Sequence, residues 1–293
     1  MIPYPVDYVR ATSVAHALAM LAGDSEAKLL AGGHSLIPIM KLRLTSTPLL
    51  IDIGRLPELR GIEIHSDHIA IGAATTHAEL GDHLRLSELS PLIRMAAGVI
   101  ADPTVRNRGT LGGSLVNADP SADWPAVMLA LDARMEVTGV SGTREVPADA
   151  FFVGIMSSAV QPDEILTRIL IPLPGPERVA YRKFRHPASG YAVAAAAVAL
   201  RYAGNSCTGG TIGMTGVAET AFRAHAAEAE LGRGFTGSTE EIARLVETAF
   251  AGVTPLEDGF ADGTYRIQLA KVMLSRALTD AVREPCVASY WRG

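Results

Sequence analysis

Cysteine is nearly absent from this sequence: two in 293 residues, Cys207 and Cys286. Two isolated thiols cannot hold an iron–sulfur cluster, which takes about four ligands. They form no C-x-x-C pair, and both are expected to be packing residues. Any redox centre of this chain is therefore an organic cofactor. A block of positive charge is also missing. The formal net charge is −5, which argues against nucleic acid as the main partner. The most continuous apolar run, Ala192–Leu200, is too short to span a bilayer. The stretch Met1–Arg10 carries two prolines and no charged segment ahead of an apolar core, so it does not read as a signal peptide. The expectation is a cytoplasmic protein. The eight histidines show no metal spacing: His65 and His68 fall in a turn, and His77 and His83 lie off one helical face. No metal site is expected. There is no P-loop, no G-x-G-x-x-G opening a helix, and no G-x-S-x-G elbow.

What is present is a sizeable apolar fraction, 48% of residues, enough for two or three small domains. The chain is organised around Lys28-Leu29-Leu30-Ala31-Gly32-Gly33-His34-Ser35-Leu36-Ile37-Pro38. An apolar run leads into two glycines and a serine, then into a helix-like segment reaching about Leu44. Ser35 is a good N-cap, and Pro38 falls in the first turn, where a missing N–H costs nothing. Glycines there let the backbone approach a ligand and aim N–H groups at it, chemistry that suits a phosphate. Thr110-Leu111-Gly112-Gly113-Ser114 repeats the pattern, with Asn117, Asp119 and Asp123 close behind. Two such nests can grip one diphosphate from both sides. Ser35 and Ser114 then read as phosphate donors rather than nucleophiles.

The rest of the chain reads as α+β. Thr12-Ser13 caps a first helix with Val14, Ala17, Leu18 and Leu21 on one face, ended by Gly23. Strands over 27–31 and 49–53 around the first nest predict a small parallel βαβ unit. Strands over 61–64 and 68–73 form a hairpin. Thr76-His77-Ala78-Glu79 is a capping box, Ser90-Pro91 starts a helix to about Ile100, and Asp123 caps a helix over 124–131. Strands over 135–140 and 164–171 complete a mainly antiparallel middle region. Pro172, Pro174, Gly175 and Pro176 make a stiff linker. Beyond it, 180–184, 192–202 and 207–217 read as a three-stranded meander, despite the helix preference of the alanines in 192–199. Ala224–Leu231 is a short helix, Ser238–Glu241 is a second capping box, and Tyr265–Val282 is a helix with Leu269, Val272, Met273 and Arg276 at helical spacing. The expected domains are 1–53, 54–176 and 177–293.

The motifs, in order, resemble those of the FAD-binding medium subunit of molybdenum hydroxylases, the family of xanthine and carbon monoxide dehydrogenases. The matching residues are Ala31-Gly32-Gly33-His34-Ser35-Leu36, Lys41-Leu42-Arg43, Thr110–Ser114, Asp119-Pro120-Ser121-Ala122-Asp123 and Glu164-Ile165-Leu166. Tyr181-Arg182-Lys183-Phe184 and Ser189-Gly190-Tyr191-Ala192 continue the match, which spans essentially the whole chain. His34 and Ser114 depart from the residues common there, but the glycines remain.

The resemblance implies a PCMH-type FAD-binding fold, with FAD extended between the first two domains and its diphosphate between the nests. Leu30 to Leu36, Thr110 to Ser114, Asn117 and Asp119 would line the cofactor. Asp123 would lie at the flavin nucleotide, Lys183 near the flavin pyrimidine, and Tyr191 would stack on the ring as the catalytic residue. Ile100 and Leu166 would give apolar contact. It also implies two partners: a small subunit with two 2Fe–2S clusters and a large molybdopterin subunit, as a dimer of heterotrimers. Electrons would pass from the clusters to FAD and on to an external acceptor. The alternative is a self-contained FAD-dependent reductase or oxidase of the enolpyruvyl-glucosamine reductase type.

Overall fold

The computed structural model describes residues 2–173, 177–232 and 234–283. Three sheets carry the architecture. The N-terminal one is built from β1 (Asp7–Arg10), α1 (Val14–Gly23), β2 (Lys28–Leu30), α2 (Leu36–Lys41) and β3 (Leu49–Asp52). Its strand order is β1-β3-β2, and both pairings are parallel. The βαβ reading holds, and β1 is an addition to it. The Ser13 hydroxyl accepts from His16 N at 3.0 Å and starts α1, whose Ala17, Leu18 and Leu21 pack on Ile51 and Ile53.

The middle part begins with the hairpin β4 (Ile62–Ile64) and β5 (His68–Gly72), and both linked caps of the Thr76 box open α3 (His77–Asp82). Four helices follow: α4 (Leu84–Leu89), α5 (Pro91–Val99), α6 (Pro103–Arg106) and α7 (Leu111–Asn117). Then come α8 (Asp123–Ala130), β6 (Arg134–Gly139), β7 (Gly142–Pro147), a small hairpin of β8 (Phe152–Gly154) and β9 (Ser157–Ser158), and β10 (Ile165–Pro172). The sheet order β4-β5-β10-β6-β7 is antiparallel throughout. Pro172 closes β10, while residues 174–176 of the linker lie outside the described residues.

The C-terminal part comprises β11 (Glu177–Arg185), β12 (Ala192–Ala203), β13 (Ser206–Thr215), β14 (Phe222–Arg223), α9 (His225–Glu228), α10 (Thr239–Ala249) and α11 (Gly263–Arg283). The meander thus has a short fourth strand. Strand β12 explains its own alanines. Ala195, Ala197 and Ala199 pack into the core around α8, while Ala194, Ala196 and Val198 pack into the core that holds α11. Small side chains let helices close on both faces of a strand buried over 192–200, and tertiary packing overrides helix propensity.

Several expectations are corrected. Helix α2 stops at Lys41, and Arg43 takes a left-handed φ of 60°. Ser35 makes no capping bond. Asp123 sits inside the first turn of α8 rather than at its cap, because burial and two partners claim its carboxylate. The stripe on α11 is displaced: Val272 is exposed, and the buried face runs through Arg266, Ala270, Met273, Leu274 and Ala277. Arg266 is only 2% exposed and donates to the carbonyls of Leu256, Val193 and Gly216. Cys207 is buried, as expected of a packing residue, and Cys286 lies outside the described residues.

Candidate functional site

A cavity of about 600 Å³ opens where the β2–α2 turn meets the middle part. Residues Leu30, Ala31, Gly32, Gly33, His34, Ser35 and Leu36 all line it. Gly33 has φ of 77°, which turns the chain into α2. The amides of Gly33, His34 and Ser35 donate to no acceptor among the described residues. Three successive free N–H groups in such a turn form an anion cradle. Gly32 has a different reason to be glycine: a methyl group there would overlap the Arg108 carbonyl oxygen and lie 2.8 Å from Gly109 Cα. Its bare Cα lets the two glycine stretches touch.

The second stretch is not a twin of the first. Thr110 caps α7, and every early amide is used: Leu111 N to Thr75 O at 3.0 Å, Gly112 N to Ala73 O at 2.8 Å, Gly113 N to Thr110 Oγ1 at 3.2 Å, Ser114 N to Thr110 O at 3.1 Å. Neither glycine has positive φ. A Cβ on Gly112 would meet that of Ala73 at 2.5 Å, so this glycine serves close packing. What Thr110, Gly112, Gly113, Ser114 and Asn117 give the cavity is a wall. The side chains of Ser114 and Asn117 have no hydrogen-bond partner among the described residues and are free for a ligand. Leu111 turns into the core and does not line the cavity.

The far wall is Ile100, Ala101 and Leu166 with Asp123 and Tyr191. Ala101 has φ of 41°, and Arg106 holds this corner by donating to Ile100 O at 2.8 Å. Asp123 is buried and anchors two groups: Tyr181 Oη donates to Oδ1 at 2.5 Å and Lys183 Nζ to Oδ2 at 2.8 Å. Burial pushes the Asp123 carboxyl up, while Lys183 and then Tyr181 pull it back. Burial and the adjacent carboxylate hold the Tyr181 hydroxyl well above its ordinary range, so it stays a donor. Lys183 does not line the cavity; it stands behind Asp123, with its side chain 4% exposed. Asp119 also lies behind the wall. Its Oδ1 accepts from Ser121 N at 2.8 Å, and burial raises its pKa.

Tyr191 stands at the mouth, on the turn between β11 and β12, 40% exposed. Burial of the hydroxyl end, then the charge of Asp119, raises its pKa, and Ser35 acts the other way. Among the lining residues that escaped sequence reasoning, two stand out. His77 and Trp124 are buried side by side, with Trp124 Nε1 donating to His77 Nδ1 at 3.1 Å. The capping box located the helix but said nothing of which way His77 faces. Among the described residues no group of three or more His, Cys, Asp or Glu is placed to hold a metal ion.

A parallel and an antiparallel sheet meeting at an amide cradle make the site of a protein that binds a ligand with an anionic, phosphate-like end. Residues 4–174 match the FAD binding domain in molybdopterin dehydrogenase, and residues 179–281 match the CO dehydrogenase flavoprotein C-terminal domain. The carbon monoxide dehydrogenase medium chain of Hydrogenophaga pseudoflava is 39% identical, over 96% of this chain and 98% of its own. Subunit alpha of the 6-hydroxypseudooxynicotine dehydrogenase complex of Paenarthrobacter nicotinovorans is 38% identical, over 96% of each chain. The crystal structure of quinoline 2-oxidoreductase from Pseudomonas putida 86 superposes with a TM-score of 0.91 at 30% identity, over 97% of this chain and 99% of that one. The chain belongs to the FAD-binding medium subunits of the molybdenum hydroxylases.

Proposed function

We propose that this cavity holds FAD and that the chain passes electrons from iron–sulfur clusters on a small partner subunit to an external acceptor. The observation that carries this is the free amide cradle of residues 33–35 lining one cavity with the unpaired Ser114 and Asn117 side chains. Those groups fit a diphosphate. FAD, when bound, supplies a carrier that accepts electrons from one-electron donors and releases them to a different acceptor. The protein's own part is to bind, orient and shield. Residues 33–35 hold the anionic end. Asp123, fixed by Lys183 and Tyr181, presents a carboxylate of set direction to the wall. Ile100 and Leu166 keep that wall apolar, and Tyr191 covers the mouth.

Two cysteines are too few to hold a cluster in this chain. In keeping with its family, it would work with a small subunit carrying two 2Fe–2S clusters and a large molybdopterin subunit, as a dimer of heterotrimers in the cytoplasm. Its parts are the FAD-holding segments 1–53 and 54–176 and a C-terminal domain, 177–293. Among the described residues no helix is long and apolar enough to cross a membrane. The self-contained reductase is disfavoured, because the relatives that match over their whole length are subunits of larger complexes. The test is anaerobic: substrate is mixed with the isolated subunit and then with the assembled complex, and flavin bleaching is followed. Bleaching only in the complex is expected. Fast bleaching of the isolated subunit by carbon monoxide, a purine or an N-heterocycle overturns the divided enzyme.

A further inference from the structure

His77 is a buried side chain with an unused donor. Its residue is 5% exposed, yet it lines the cavity. Its Nδ1 accepts the indole N–H of Trp124 at 3.1 Å, so in the neutral ring the proton sits on Nε2. That Nε2 has no acceptor among the described residues. It faces Gly109, on the cavity wall, where an added Cβ would come within 2.8 Å of it. The backbone around it is rigid: His77 N donates to Gly109 O at 3.0 Å, and Thr76 bridges to Thr110. Burial, with the nearby charges of His34 and Arg106, disfavours the imidazolium, with a pKa of about 4. Among the described residues Ser90 Oγ is the one fully buried side-chain polar atom without a partner, so Nε2, unpaired, is still reached from the cavity and is open to an acceptor on a ligand.

We propose that His77 Nε2–H donates a hydrogen bond to an acceptor oxygen of bound FAD, with Trp124 fixing the tautomer; this rests on reading the cavity as the FAD site. His77 is thus a neutral cofactor-binding residue. The anionic end is left to the amide cradle.

The experiment uses apoprotein of the full chain, titrated with FAD, ADP and riboflavin. His77→Asn keeps an acceptor for Trp124 and loses the distal donor. His77→Gln keeps a distal N–H. Loss of one hydrogen bond predicts about tenfold weaker FAD binding in His77→Asn and recovery in His77→Gln. A loss shared with ADP places the acceptor on the diphosphate half; one shared with riboflavin places it on the ring half. Imidazole 15N shifts of wild-type protein give a second readout that needs no variant: the Nε2 resonance should move on FAD binding, with Nδ1 staying unprotonated. Normal FAD affinity in His77→Asn, or an Nε2 signal unmoved by FAD, overturns the proposal and leaves the FAD site standing. Failure of wild-type apoprotein to take up FAD at all overturns the site reading itself.

Discussion

Replacing Lys183 by Met should destabilise the protein in a strongly pH-dependent way. Lys183 and Asp123 form a buried pair, N to O 2.8 Å, with side chains 4% and 6% exposed. Taking away one partner of such a pair typically costs about 3–5 kcal/mol, because a charge is left buried alone. The cost has a ceiling, since Asp123 can escape by taking up a proton. Neutralising a carboxyl of ordinary pKa 3.8 costs about 4.4 kcal/mol at pH 7 and about 1.6 kcal/mol at pH 5. The methionine keeps most of the apolar stem, and Tyr181 can still donate to one carboxyl oxygen. The expected loss is therefore about 3–4 kcal/mol at pH 7, shrinking by roughly 2–3 kcal/mol at pH 5. Urea unfolding of flavin-free wild type and variant at both pH values, followed by circular dichroism, measures it; removing FAD avoids its own contribution to stability. Asp123→Asn combined with Lys183→Met should recover much of the loss at pH 7, because no lone charge remains. A loss below about 1 kcal/mol at pH 7, or one equal at the two pH values, would refute the buried-pair reasoning.

Gly32→Ala should lose more flavin on purification than Gly113→Ala, because its methyl meets the Arg108 backbone, whereas that of Gly113 meets the Thr110 hydroxyl at 2.7 Å; equal flavin-to-protein ratios would contradict this. Tyr191→Ala should retain FAD but shift its visible spectrum and slow its reoxidation, since one ring at the cavity mouth is removed; an unchanged spectrum and rate would make Tyr191 a packing residue. His77 makes acid destabilising: its folded pKa of about 4 lies below its ordinary 6.5, so the unfolded chain takes up the proton first, and about 3 kcal/mol is lost as pH falls through that window. Glu177 works in the opposite sense, its pKa raised from 4.5 to about 7 by burial, so its contribution is present below pH 4.5 and lost as pH rises. The wild-type-minus-His77→Asn stability difference therefore isolates the histidine, and a difference flat between pH 4 and 6.5 would rule it out.

The sequence by itself determined the local features whose causes are local. Capping boxes at Thr76 and Ser238 start helices where they stand, because the hydroxyl and carboxylate that satisfy the first amides lie within one turn. The Gly204-Asn205 turn joins β12 to β13, and the first glycine stretch carries its amide cradle in its own backbone. The shortage of cysteine excluded clusters without any structure. Tertiary structure decided what depends on residues far apart in the chain. The two glycine stretches look alike in sequence, yet only the first offers free amides, because residues 73–75 run beside the second and accept from Leu111 and Gly112, while Thr110 takes the amides of Gly113 and Ser114. Asp123 resembled a helix cap until β11 brought Tyr181 and Lys183 to its carboxylate across some sixty positions of chain. The alanines of β12 are a strand because helices press on both faces, a long-range burial that outweighs the few tenths of a kcal/mol per residue of their own preference. His77 became a donor in the cavity only when Trp124, from another helix, took its other nitrogen.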